Sequence, residues 1–113
     1  MSGSVFLYLV TRGRTSGLPR KIEIWFVEHE GRFYLVAEQR ERANWVRNIL
    51  ADSAVQLSVG DRGDRQCVVA QCPARGRVLD ERADATLLSA VRARMETKYD
   101  WSDGLVVELA PEG

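Results

Sequence analysis

Val5–Ala37 reads VFLYLVTRGRTSGLPRKIEIWFVEHEGRFYLVA, and this stretch decides the fold. Val5 to Thr11 is rich in aromatic and β-branched residues, the composition of a strand. Lys21 to Glu28 alternates: Ile22, Ile24 and Phe26 share one face, and Lys21, Glu23 and Trp25 share the other. A strand with one buried face carries that period of two. His29-Glu30-Gly31-Arg32 is a hairpin turn, with Gly31 available for a positive φ, and Phe33 to Ala37 returns as a third strand. Arg12 to Arg20 is a loop with two Gly, one Pro, Thr and Ser.

Outward from this stretch the period changes. From Glu41 to Ala51 the apolar residues Val46, Ile49 and Leu50, with Trp45 beside them, fall at helical spacings. Val55, Leu57 and Val59 alternate again, and Gly60-Asp61-Arg62-Gly63 turns the chain. Gln66 to Gln71 and Arg75 to Leu79 read as one long strand broken near Pro73, which suggests an edge position or a bulge. Asp80 is a good helix N-cap. Behind it, Leu87, Leu88, Val91 and Met95 make an apolar stripe on a helix running to about Thr97. Leu105 to Leu109 is a last strand. The sum is about six mainly antiparallel strands and two helices, an α+β, mainly β, small barrel. Strands and helices do not alternate, which argues against a Rossmann sheet.

The chain's 113 residues make one domain, 1–113. Sixteen Lys and Arg balance sixteen Asp and Glu, so a nucleic-acid partner is not expected. The opening MSGSVFLYLVTRGR has a short apolar run and no basic leader, unlike a secretion signal. No run approaches the ~20 residues of a membrane helix, so a cytoplasmic protein is expected. Cys67 and Cys72 do not have a zinc spacing; on one strand they would face opposite ways, as idle thiols in a reducing compartment.

Charge is balanced overall but not locally. Residues 1–22 hold Arg12, Arg14, Arg20 and Lys21 and no acid. The stretch after Lys98 holds Asp100, Asp103, Glu108 and Glu112 and no base. The basic block coincides with the glycine-containing loop. Arginine forks suit phosphate oxygens. Thr15 and Ser16 add hydroxyls, and Gly13 and Gly17 would let backbone N–H groups approach an anion. The competing reading is a solvated basic loop between two strands. A second candidate is Ala37–Asn48, AEQRERANWVRN, where a strand end meets a helix start carrying Arg40, Arg42 and Arg47. Trp45 there is either a flat wall for a planar ring or ordinary core.

His29 is the single histidine and sits in a hairpin turn between acids, where it reads as exposed and idle. Neither a Ser/His/Asp triad nor a histidine metal site has support, and no G-x-S-x-G, H-E-x-x-H or Walker loop is present. Asp80, Glu81 and Asp84 read as helix caps. Tyr99 and Trp101 form an aromatic cluster suited to a pocket, to packing or to a dimer contact, and Tyr99 could donate a proton. Basic and aromatic groups without a nucleophile or metal suggest that an organic cofactor carries the chemistry.

The run Leu9-Val10-Thr11-Arg12-Gly13-Arg14-Thr15-Ser16-Gly17-Leu18-Pro19-Arg20 resembles the G-R-K-[ST]-G-x-P-R segment of the deazaflavin (F420)-dependent nitroreductase and quinone reductase family. Gly31 to Ala37 is similar to that family's next hairpin, and Asn44-Trp45-Val46-Arg47-Asn48-Ile49 to its N-P-x-W-Y-x-N-L helix motif. Asp103 to Leu109 is similar to its last strand. The resemblance covers nearly the whole chain, in the same order. It departs from the family at Thr15, where the family has Lys, at Glu38-Gln39-Arg40-Glu41, where it has Ser-Lys-Gly-Gly, and at Val46, where it has Tyr.

The resemblance implies a split β-barrel of the pyridoxamine-phosphate-oxidase-like FMN-binding superfamily, a homodimer that binds coenzyme F420 or, second, FMN. The activity implied is transfer of hydride from the reduced cofactor to quinone- or nitroaromatic-like acceptors. Arg14, Thr15 and Ser16 would hold the phosphate, with Arg12 and Gly17 beside them in the cofactor site. Arg20, Lys21, Ile22 and Trp25 would run beneath the ring, and Ala37, Glu38 and Gln39 would line its edge. Asn44 and Trp45 would close the phosphate side, and Tyr99 would stand on the acceptor side as the catalytic residue. The alternatives are a binding module for flavin, deazaflavin, haem or lipid without turnover, and an interaction domain without a small ligand.

Overall fold

The computed structural model describes residues 6–60, 69–99 and 103–112. Cys67, Trp101 and most of the Gly60–Gly63 turn lie outside the described residues, so the expectations placed on them have no structural counterpart here.

The described residues form seven strands: β1 (Phe6–Arg12), β2 (Pro19–Ile24), β3 (Val27–His29), β4 (Arg32–Ala37), β5 (Ala54–Gly60), β6 (Val69–Val78) and β7 (Leu105–Pro111). Helix α1 spans Asn44–Ala51, after a single 3-10 turn at Arg40–Arg42, and helix α2 spans Ala85–Tyr99. All strands join one antiparallel sheet in the order β2-β1-β5-β6-β7-β4-β3.

The two outermost strands of this order, β2 and β3, are consecutive in the chain, with Trp25 and Phe26 alone between them. Three residue steps reach at most about 11 Å. The opposite edges of a seven-stranded sheet therefore lie within that distance, and the sheet must curl into a barrel that is split at this connector. Here the sequence expectation is corrected. The apolar alternation runs unbroken from Ile22 to Phe26, but the ladder changes partner: Ile24 pairs with Leu7, and Val27 pairs with Tyr34. One expected strand is two, so the described residues hold seven strands where about six are expected.

Alternation fixes the barrel interior. Leu7, Leu9, Phe33, Leu35, Val55, Leu57, Val107 and Leu109 pack inside, joined by Val46 and Ile49 of α1. Each such side chain contributes about 1.5–3 kcal/mol by leaving water. Helix α1 can approach because residue 76 is glycine: a Cβ there would lie 2.9 Å from Ile49 Cγ2. Leu50, expected on this apolar face, points to solvent instead and is 63% exposed. Helix α2 covers the outer face of β3, β4 and β7, burying Leu88, Val91 and Met95 against Val27, Tyr34, Val36 and Val106.

The expectations for Pro73, Asp80 and His29 are refined. Strand β6 is central, flanked by β5 and β7, although it contains Pro73. Of the two expectations for Pro73, the edge position gives way and the bulge has its counterpart: Pro73 sits just past the end of the β6–β7 ladder, near a shift in the β5–β6 register between Leu57 and Val59. Asp80 caps a turn that precedes α2: its Oδ1 accepts from the backbone N–H groups of Arg82 (2.8 Å) and Ala83 (3.3 Å), and the helix begins at Ala85. The expected hairpin turn is present, with Glu30 at φ 52° and Gly31 at φ 80°. His29 is not idle: its Nδ1 accepts from Arg94 Nε on α2 at 3.0 Å, and its ring meets Tyr34 edge-on.

Candidate functional site

Strand β1 directs Leu7, Leu9 and Thr11 inward, so Arg12 points out and the chain turns at Gly13. The loop after β1 closes on itself. The Gly13 N–H donates to Leu18 O (2.8 Å), the Gly17 N–H donates to Gly13 O (2.8 Å), and the Leu18 N–H donates to Ser16 Oγ (3.2 Å). The amides of Gly13 and Gly17 are thus committed within the loop. This revises the expectation that they face an anion; positive charge at the loop comes from side chains.

Arg14 is the loop residue tied most firmly to the fold. Asn48 Oδ1, on α1, accepts from the Arg14 backbone N–H (3.2 Å) and from Arg14 Nη1 (2.9 Å). Arg14 Nη2 also reaches Asn44 Oδ1 at 3.4 Å. Asn48 Nδ2 donates to Thr11 Oγ1 at 3.1 Å, and both side chains are buried. Asn48 was not singled out from the sequence, because a polar helix residue reads as solvent-facing. Its signal was available: Asn44 and Asn48 are one helical turn apart and share a face.

Arg14 opens onto a groove of about 690 Å³ lined also by Thr15, Ser16, Arg20, Lys21, Ile22, Asn44 and Trp45. Arg14, Arg20 and Lys21 are its cationic side chains. Lys21 Nζ additionally sits 5.3 Å from the Tyr8 ring centroid. A second cleft, about 870 Å³, continues from the first and shares Ile22, Asn44 and Trp45 with it. Its walls include Trp25, Trp45 and Tyr99, and its rim includes Ala37, Glu38 and Gln39. Half-buried Trp45 packs on the barrel core and stands where the two spaces meet.

Of the expected site residues, Arg14, Thr15, Ser16, Arg20, Lys21, Ile22, Asn44 and Trp45 come together in the first groove. Trp25, Ala37, Glu38, Gln39 and Tyr99 come together in the second. Arg12 and Gly17 do not join them; they line a separate hollow with Asp52, Pro73 and Glu112. Arg40, Arg42 and Arg47 line neither space. Arg47 Nε instead donates to Glu41 O at 3.1 Å.

Tyr99 stacks on Trp25 and reaches past it to the backbone of Phe26. Its hydroxyl accepts from the Phe26 N–H (3.2 Å) and donates to Phe26 O (3.1 Å). Burial raises its pKa above the ordinary phenol value. With its proton directed at the Phe26 carbonyl, Tyr99 positions the connector. Lys98 Nζ donates to the same Phe26 carbonyl (2.9 Å) and lies 3.8 Å from the Phe26 ring centroid; burial lowers its pKa. No group of three or more His, Cys, Asp or Glu suited to a metal occurs among the described residues.

A cationic groove that runs into an aromatic-walled cleft fits a ligand with an anionic tail and a planar ring. A model of the family described as F420H(2)-dependent quinone reductase matches residues 1–100. No protein of curated function gives a significant sequence match. Among solved structures, the chain is similar to an F420-H2 dependent reductase, FDR-A (TM-score 0.59, 22% identity, 92% of each chain covered). It is also similar to HutZ, a haem storage protein from Vibrio cholerae (TM-score 0.75, 18% identity, 96% of this chain and 82% of that one). A Listeria innocua protein assigned as a pyridoxamine 5′-phosphate oxidase shares the same fold (TM-score 0.72, 8% identity, 96% and 84%).

Proposed function

The chain belongs to the F420H(2)-dependent quinone reductase family, and on that premise we propose that it is an oxidoreductase that uses reduced coenzyme F420 to reduce quinone-like acceptors. The observation that carries this reading is the continuity of the two spaces through Ile22, Asn44 and Trp45, with cations at one end and aromatic rings at the other.

Reduced F420, when bound, supplies the hydride. The chain's own residues bind and orient. Arg14, Arg20 and Lys21 hold the anionic tail, and Thr15 and Ser16 add hydroxyl donors beside them. Trp25 and Trp45 wall the ring space and exclude water from it, while Ala37, Glu38 and Gln39 border its edge. Tyr99 and Lys98 hold the Trp25-Phe26 connector in place. Nitroaromatic compounds are planar and electron-poor like quinones, so the same cleft would admit them. The two-part groove favours F420, with its longer anionic tail, over FMN.

The test is anaerobic mixing of the protein with reduced F420 and menadione, following the return of oxidised deazaflavin absorbance. The proposal expects a rate above the protein-free control. Equal rates, with F420 shown to be bound, would leave a binding module without turnover.

A further inference from the structure

We propose that Asn48 is the positioning residue of the cationic groove, and that Thr11 sets the direction in which its amide faces. The inference rests on the reading of that groove as the tail site. It concerns two uncharged residues, on α1 and β1, that line the buried side of the groove, not the cations themselves.

Donors and acceptors fix the orientation of the Asn48 amide. The Arg14 guanidinium and backbone N–H can only donate. Both converge on one atom of Asn48, at 2.9 and 3.2 Å, so that atom must be the oxygen. The amide nitrogen then faces the opposite way and needs an acceptor. Thr11 Oγ1 supplies it at 3.1 Å. Both residues are nearly inaccessible, Asn48 at 4% and Thr11 at 2% exposed, so no bulk water can substitute. The chain Thr11–Asn48–Arg14 thus runs from the barrel wall to the groove, and Asn44 steadies the far guanidinium nitrogen at 3.4 Å. An exposed arginine on a glycine-containing loop would otherwise sample many rotamers. A neutral amide fixes it without cancelling its charge, which leaves that charge for an anion.

Asn48→Asp tests this directly, since it keeps the shape and replaces a neutral acceptor with a charged one. The measurement is the dissociation constant, by fluorescence, for coenzyme F420 and for its tail-less deazaflavin alcohol. Wild type should prefer the tailed molecule. Asn48→Asp should lower that preference by about tenfold, the size of one charged hydrogen bond, with affinity for the tail-less molecule unchanged. A purely structural role would weaken both molecules together and leave their ratio intact; that result overturns the inference. Thr11→Val, which keeps the volume and removes the acceptor, should also reduce the preference, and an unchanged ratio in a folded Thr11→Val protein overturns the inference even if Asn48→Asp does not fold. A wild type without any preference overturns the tail-groove reading itself, and this inference with it.

Discussion

The Trp25 indole lies flat on the Tyr99 ring, with centroids 4.4 Å apart and planes 4° from parallel. This stack joins the two-residue connector at the split of the barrel to the last residue of α2. Phe26, next to Trp25, offers its backbone N–H and carbonyl to the Tyr99 hydroxyl, and its carbonyl also accepts from Lys98. Both connector groups would lie between strands without a ladder partner. The end of α2 satisfies them and so fixes one wall of the ring cleft.

Tyr99→Phe separates stacking from hydrogen bonding. The variant should keep the stack and lose about 1 kcal/mol of stability, read from a urea midpoint. Turnover should fall by less than the ~100-fold that removing a general acid typically costs. A loss of that size would return the hydroxyl to a chemical role.

Alkaline pH should loosen the outer face. Burial, then the 2.9 Å hydrogen bond to the Glu108 carboxylate, push the Tyr34 phenol from its ordinary 10.0 to about 12. The folded chain keeps this proton where the unfolded chain has released it. The stabilisation is present below pH 10 and is lost as pH rises through about 12. Urea midpoints should drop across this window in wild type and drop less in Tyr34→Phe. Equal drops would contradict the assignment.

Glu108 itself is 3% exposed and lies among Tyr34, Arg32 and Arg77. Arg77 also pairs with Asp84 just before α2, at 3.0 Å. Glu108→Ala would remove the acceptor of the buried Tyr34 hydroxyl and the counter-charge of the half-exposed Arg32 and Arg77, and should destabilise the fold by about 1–3 kcal/mol. A change in the unfolding midpoint equivalent to less than ~1 kcal/mol would show that the arginines find solvent instead.

Gly104 supports the ring cleft from behind. Its φ is +151°, and a Cβ would lie 2.5 Å from Ala37 O and 2.7 Å from Val36 Cγ1. Gly104→Ala should cost about 1–3 kcal/mol through strain and displace the strand end carrying Ala37. Chemical denaturation with an unchanged slope would report it.

Much of the fold is legible locally. The Ile22/Ile24/Phe26 alternation gives the inner face, and Leu88, Val91 and Met95 give the buried stripe of α2. The break at Trp25-Phe26 is not legible, because alternation passes through it and the cause lies in distant residues Lys98 and Tyr99. Most of the site's residues were named from sequence because the resemblance supplied their places. The division between Arg12 and Arg14 was obscured by treating the basic loop as one unit, although the period of β1 already sends Thr11 inward and Arg12 away from Arg14's groove. Asn48 is legible only as a polar residue sharing a helix face with Asn44; its partners Thr11 and Arg14 lie more than thirty residues away and leave no local trace.

The affinity of coenzyme F420 for three proteins tests the central claim most directly: wild type, Arg14→Ala and Arg12→Ala, each titrated at one salt concentration. Arg14 lines the cationic groove and Arg12 a separate hollow. Arg14→Ala should weaken binding by about 1.5–3 kcal/mol, as expected for a charged hydrogen bond, and Arg12→Ala should bind as wild type does. Wild-type affinity in Arg14→Ala would contradict the account.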